Sequence, residues 1–218
     1  MSEDSHKDLG QVRREYRMDQ LKEARLPADP MQLFQSWLEE ARKTANPDPT
    51  AMALSTLNKK GFPSTRIVLL KKVTQDQLVF FTNYGSRKAL EIGHSSKVAA
   101  HFHWPELERQ VKIAGMAGRL EEEESDLYFR SRPRESQIAA WASPQSEEVA
   151  NREYLEKEYQ KYLHKFETIQ EIPRPDFWGG FAISPLSMEF WQGGEFRLHD
   201  RIEYSLQDKL WQRIRLAP

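Results

Sequence analysis

The run FWQGGEFRLHDR, residues 190–201, gathers three kinds of chemistry-bearing side chain into one short stretch. Arg197 and His199 are two apart, and on an extended strand they and Arg201 would share one face. Trp191 lies close by, and Gly193-Gly194 lets the backbone turn or approach a ligand closely. Two arginines and a histidine are costly to bury without purpose. A structural network with Asp200 and Glu195 is the alternative, and a binding or catalytic site is the favoured reading. A second constellation is Tyr128, Arg132 and Ser136. Tyr128 and Arg132, four apart, share a helix face. Pro133 breaks the helix, so Ser136 opens the next one, where backbone N–H donors are free. A phenol, a guanidinium and a hydroxyl converging there would hold a phosphate monoester. An ordinary helix–turn–helix with an exposed arginine fits these residues equally well.

Weaker signals lie elsewhere. Arg66 and Lys71 bracket the apolar run RIVLLK, and Arg87-Lys88 follow Ser86 at an expected helix start, a place that favours phosphate. Each is more often a solvated charge, but cations beside apolar strands and a helix N-terminus suit an anion. Arg13, Arg14 and Tyr16 sit in a polar leading segment, either as a solvated charge run or as a flap closing on an anion.

Other chemistries are excluded or disfavoured. Neither GxGxxG nor GxxxxGK[ST] occurs, so neither a dinucleotide fold nor a P-loop is signalled. No G-x-S-x-G elbow is present. His101 and His103 stand two apart on an expected strand, but no third ligand completes a metal set, so barrel-wall residues are the better reading. The chain has no cysteine, which removes disulfides, thiolate metal sites and thiol nucleophiles and fits a reducing cytoplasm. With 32 Lys+Arg against 33 Asp+Glu there is no general attraction for nucleic acid or acidic membrane. That balance argues against a nucleic-acid-binding barrel stacking bases on Phe80, Phe81, Phe102 and Trp104. The leading residues hold no apolar run fit for a signal peptide or membrane span.

The elements that must position these residues follow from the periodicity. Asp29-Pro30 opens a helix, with Phe34, Trp37, Leu38 and Ala41 on its buried face. AMALSTL and STRIVLLKK read as a hairpin, LVFFTN as a third strand, and SRKALEIG as a short helix capped by Ser86. KVAAHFHW and LERQVKIAGMAGRL form a second hairpin. Helices are expected over EEEESDLYFRSR, ESQIAAWAS and within 147–166; WGGFAIS, SMEFWQGG, RIEYSL and LWQRIRL supply the last strands. Roughly seven strands with helices between them argue for an α+β fold, an antiparallel barrel with helices packed outside. A mobile arm over 1–25 and a single domain over 26–218 are expected.

Taken together, RREY, LPADP, DPTAM, RIVLLK, FFTNYGSRK, LERQV, YFRSRPRESQI, PQS, FWGGF, GGEFRLHDR and the terminal RLAP resemble the pyridoxine/pyridoxamine 5'-phosphate oxidase family over nearly the whole chain. Two departures are visible: Ala140 where the family usually has Gly, and Phe196 at a position that varies. The resemblance implies an FMN-binding split barrel that dimerises, with FMN between two subunits. It places FMN contacts at Arg66, Ile67, Val68, Leu69, Lys71, Phe81, Thr82, Arg87, Lys88, Gln110, Gln145, Ser146, Trp191 and Arg201. Lys71, Tyr128, Arg132 and Ser136 would hold the substrate phosphate. Arg197 and His199 would lie over the substrate ring as catalytic residues, and Arg13, Arg14 and Tyr16 would form a lid. The implied reaction oxidises pyridoxine 5'-phosphate or pyridoxamine 5'-phosphate to pyridoxal 5'-phosphate. Hydride passes from C4' to FMN, and oxygen is the final acceptor, giving hydrogen peroxide (and ammonia from the amine). A related split-barrel flavoprotein with another substrate would keep the FMN residues without the two substrate sets together.

Overall fold

A computed structural model describes residues 15, 16 and 18–218. Arg13 and Arg14 lie outside the described residues. The elements run α1 (Pro30–Ala41), β1 (Ala51–Leu57), β2 (Pro63–Leu69), β3 (Lys72–Val73), β4 (Leu78–Asn83), α2 (Arg87–His94), β5 (Lys97–Trp104) and β6 (Arg109–Arg119). They continue as α3 (Glu122–Ser131), α4 (Arg134–Ala142), α5 (Arg152–Lys165), β7 (Trp178–Gln192), β8 (Asp200–Gln207) and β9 (Leu210–Leu216). Asp29 caps α1, its carboxylate accepting from Met31 N–H at 2.9 Å.

All nine strands join one antiparallel sheet in the order β2-β1-β5-β6-β7-β4-β3, with β8 and β9 branching from β7. The sheet curls so that β2 and β4 approach without sharing a ladder, which leaves the barrel split on that side. Phe34, Trp37, Phe80, Phe102, Trp104, Phe190 and Tyr204 fill the interior under α1. Each such side chain, fully buried, contributes about 1.5–3 kcal/mol. A smaller cluster, Phe129, Ile138, Ala140, Phe166, Ile172 and Trp178, ties α3, α4 and α5 to the start of β7.

Two expectations need correction. WGGFAIS and SMEFWQGG are halves of one fifteen-residue strand, β7, which pairs with β4 at its start and β8 at its end. Pro185 lacks the N–H a ladder needs, and opposite it β6 slips register at Ala114/Gly115. A side chain at Gly115 would collide with the Ser184 carbonyl at 2.3 Å, so the missing Cβ lets the strands pass unbroken. The second correction concerns Arg197 and His199, which do not lie on a strand. Glu195–Arg197 form a 3-10 turn, Phe196 and Arg197 have φ of 56° and 63°, and β8 begins only at Asp200. Gly193-Gly194 interrupt the extended backbone there, so alternation along the run fails.

Candidate active site

At the split between β2 and β4, two cations come together. Arg66 on β2 is half-buried and donates to Thr56 Oγ1 at 2.5 Å, Ser64 Oγ at 2.6 Å and Glu91 Oε2 at 3.1 Å. The buried Glu91 carboxylate also accepts from the Thr56 hydroxyl. Lys88 Nζ, on the first turn of α2, reaches Thr82 Oγ1 at 3.0 Å, Gln145 Oε1 at 3.1 Å and Ser86 Oγ at 3.3 Å. All three are neutral oxygens. Burial, and then the neighbouring Arg66, pull the Lys88 ammonium below its ordinary value. Glu91 already pairs with Arg66, so Lys88 is the charge that an anion here would relieve. Ser86 occupies the N-cap of α2, but its hydroxyl does not bond the helix N–H groups; it faces Lys88 and Thr82 instead.

The second pocket is aromatic. Phe81, next to Thr82 on β4, stacks on Tyr128 with ring centres 3.8 Å apart. Arg132 caps α3 and lies over the Trp178 ring at 4.5 Å. Its Nη1 is buried and has no hydrogen-bond partner among the described residues. Burial lowers the Arg132 guanidinium and raises the Tyr128 phenol, each opposed by the other, so the phenol keeps its proton. Gln137, buried on α4, donates to the Arg132 and Arg130 carbonyls at 2.9 and 3.2 Å and fixes the α3–α4 junction. Ser136 is half-buried, but its N–H is not free: it donates to the Pro133 carbonyl at 2.9 Å. A half-buried cation with a buried, unspent donor beside a protonated phenol is what a phosphate monoester requires.

A third group lies at the far end of β7. Register aligns Gln110 of β6, Trp191 of β7 and Arg201 of β8 as direct neighbours, so they share one face. Gln110 Oε1 lies 3.0 Å from His101 Nε2. Arg201 donates to Glu189 at 2.9 Å and to the Ala217 carbonyl at 2.8 Å. Burial would raise the Glu189 carboxyl, but Lys112 and Arg201 outweigh it and hold the group below the usual carboxylate range. His199 packs on Trp191 at 4.7 Å, and Tyr16 meets both rings edge-on at 5.6 and 5.4 Å. A Cβ at Gly193 would fall 2.6 Å from the Tyr16 ring, so that glycine permits the approach. Gly194 N–H donates to His199 Nδ1 at 3.2 Å, which leaves the ring hydrogen on Nε2.

A family model described as pyridoxamine 5'-phosphate oxidase matches residues 38–166. A second, described as the pyridoxine 5'-phosphate oxidase C-terminal dimerisation region, matches residues 178–218. A pyridoxine/pyridoxamine 5'-phosphate oxidase of Vibrio campbellii is 50% identical over 211 residues, 97% of this chain and 100% of the relative. Another, of Rubrobacter xylanophilus, is 48% identical over 218 residues, all of both chains. The chain belongs to the pyridoxamine 5'-phosphate oxidase family. Among solved structures, PhzG from Burkholderia lata in complex with tetrahydrophenazine-1-carboxylic acid is similar, with a TM-score of 0.86 and 30% identity over 92% of this chain and 99% of its own. A pyridoxamine 5'-phosphate oxidase-related, FMN binding protein from Nostoc punctiforme shares the fold, with a TM-score of 0.69 and 14% identity over 88% and 100% of the two chains.

Within this family member, not every expected residue joins a cluster. Lys71 lies just past β2, exposed, and lines a groove with Gln35, Glu39 and Arg42 of the α1 region. Arg87 and Ser146 are exposed beside the Arg66–Lys88 pocket, and Ser146 has φ of 74°. On β2, Ile67 and Leu69 face solvent while Val68 backs the core. Arg197 is exposed on its turn. Sequence reasoning missed Glu91, Gln137, Trp178 and Glu189, and took His101 for a barrel-wall residue. Glu91 and Glu189 carry no local signal, since their cations come from other elements. Trp178 had one: a large aromatic ahead of Gly179-Gly180, where the backbone crowds Tyr84 and Leu120.

Proposed function

We propose that this chain oxidises pyridoxine 5'-phosphate and pyridoxamine 5'-phosphate to pyridoxal 5'-phosphate, with FMN as its cofactor, as a homodimer. Family membership over nearly the whole chain supports the reaction, and one observation carries its substrate class. Arg132, beside Tyr128, keeps a buried Nη1 with nothing to bond, as a site waiting for phosphate would. The residues also fit FMN: Arg66 and Lys88, with Thr82 and Gln145, suit its phosphate. Bound FMN supplies the hydride acceptor.

The chain's own residues do the rest. Tyr128 and Arg132, with Ser136, hold the substrate phosphate and so set where C4' lies; such positioning supplies much of the rate. Lys71 is assigned to that phosphate by the family resemblance alone. Gln110, Trp191 and Arg201 would line the cofactor's ring, and Arg201 would favour the negative charge of its reduced form. His199 presents Nε2–H toward the substrate ring beside Arg197, and Tyr16 covers that face from its edge-on contacts with Trp191 and His199. With FMN bound, oxygen would be the final acceptor and hydrogen peroxide a product, and the amine substrate would also yield ammonia.

Both ends of β7 are needed. Trp178 and Trp191 stand at opposite ends of one strand, roughly 40 Å apart along it. The Arg132 pocket and the His199 face then complete each other across two chains. The match to the dimerisation region and the exposed Ile67 and Leu69 of edge strand β2 support this pairing. The lack of cysteine supports a cytoplasmic setting, and among the described residues no helix is long and apolar enough to cross a membrane.

An aerobic assay with pyridoxine and pyridoxamine, each with and without the phosphate, tests the reading. Aldehyde and peroxide should form in equal amounts from the phosphorylated pair and poorly from the free pair. Equal rates with and without phosphate would overturn the substrate assignment.

A further inference from the structure

Arg132 poses a physical problem. A guanidinium that is half-buried, with one nitrogen unbonded, gains stability by rotating to find water or a carboxylate. What stands against its face is Trp178, 4.5 Å from the guanidinium carbon, with Phe129 behind at 5.7 Å. The indole is itself held on every side. It is 6% exposed, lies parallel to Phe81 and Tyr128 at 5.6 and 6.2 Å, and meets Phe129 edge-on at 5.3 Å. Its backbone is pinned by Arg174, which donates to the Trp178 carbonyl at 2.6 Å and to Asp126 of α3 at 2.5 Å. An aromatic face attracts a cation without using any of its N–H groups.

We propose that Trp178 is a specificity-determining positioning residue: its face holds the Arg132 guanidinium while leaving Nη1 unspent for the substrate phosphate. The inference rests on the phosphate-site reading above and adds a residue to it. Without the ring, Arg132 would turn toward other acceptors, and each binding event would first have to recover it. The loss should fall on phosphorylated ligands alone, because Trp178 acts through Arg132, the group that meets the phosphate.

The test is an equilibrium titration of the FMN-loaded protein with pyridoxal 5'-phosphate and with pyridoxal, followed by the change in flavin absorbance. Trp178→Phe, which keeps a smaller aromatic face, should weaken pyridoxal 5'-phosphate about threefold, and Trp178→Leu about tenfold or more. Neither should change the affinity for pyridoxal. In an Arg132→Ala background, Trp178→Phe should have no further effect, since the group it positions is gone. If Trp178→Leu fails to retain FMN, the Trp178→Phe cycle decides alone. Wild-type affinity in Trp178→Phe, an equal loss for both ligands, or an undiminished loss in the Arg132→Ala background would overturn the proposal. If Arg132→Ala itself left pyridoxal 5'-phosphate binding unchanged, the underlying phosphate-site reading would fall instead.

Discussion

His199 is best placed to separate positioning from proton transfer. Its Nδ1 accepts from the Gly194 N–H, so the neutral ring carries its hydrogen on Nε2. Burial, and then the nearby Arg197 charge, hold the imidazole below its ordinary value. The sign follows: a lowered value in the fold means that the unfolded chain takes up the proton first, so acid below the ordinary histidine range costs stability. From neutral pH upward the ring is uncharged and can donate from Nε2. His199→Gln keeps a donor near that position and loses the bond from Gly194. A neutral hydrogen bond is worth about 0.5–1.5 kcal/mol, so flavin bleaching by saturating pyridoxamine 5'-phosphate should slow by roughly 2- to 13-fold. Anaerobic stopped-flow measures this step apart from oxygen chemistry, and its pH dependence should keep its shape. A loss of about 10²–10⁴-fold, with one limb of the pH profile missing, would mean that His199 carries a proton in the slow step.

Lys88→Met should weaken FMN binding by about 10- to 150-fold, from the loss of a charge-assisted contact. Because burial and Arg66 lower Lys88, FMN affinity of the wild type should fall at alkaline pH earlier than for an ordinary lysine; a flat fluorescence titration would refute this. Gly193→Ala places a Cβ against the Tyr16 ring, so the Michaelis constant should rise several-fold with FMN content and melting temperature unchanged. An unaltered constant would remove Tyr16 from the closing segment. Ala140 is buried inside α4, so restoring the family's usual glycine should cost about 1 kcal/mol, a melting shift of roughly 2–4 °C without change in turnover.

Most of the fold was legible because its signals are local. Asp29-Pro30, the paired hairpins and the proline between α3 and α4 each announce an element within a few residues, and the structure has them there. β7 was misread because Ser184-Pro185 looks like a break, and only Gly115 on the opposite strand makes it passable. The RLHDR run was given a strand's alternation, whereas its glycines and two left-handed residues make a turn. For the candidate site, helical spacing put Tyr128 and Arg132 together; they are neighbours, although Arg132 is the extended cap of α3 and not part of its face. Arg66 and Lys88 were legible only as separate weak anion candidates, since the curl of the sheet, not the sequence spacing, brings them together. The row Gln110–Trp191–Arg201 depends on strand register across three strands, which no local pattern encodes. Trp178 had a local sign in the following glycines, but its stacking partners come from β4 and α3.

The most direct measurement is a single anaerobic turnover of the FMN-loaded dimer with an equal amount of pyridoxamine 5'-phosphate. The flavin band should bleach and one pyridoxal 5'-phosphate should appear per FMN, while free pyridoxamine leaves the band unchanged at the same concentration. A flavin that stays oxidised with the phosphorylated amine, or bleaches equally with the free one, would contradict the assignment of substrate and site together.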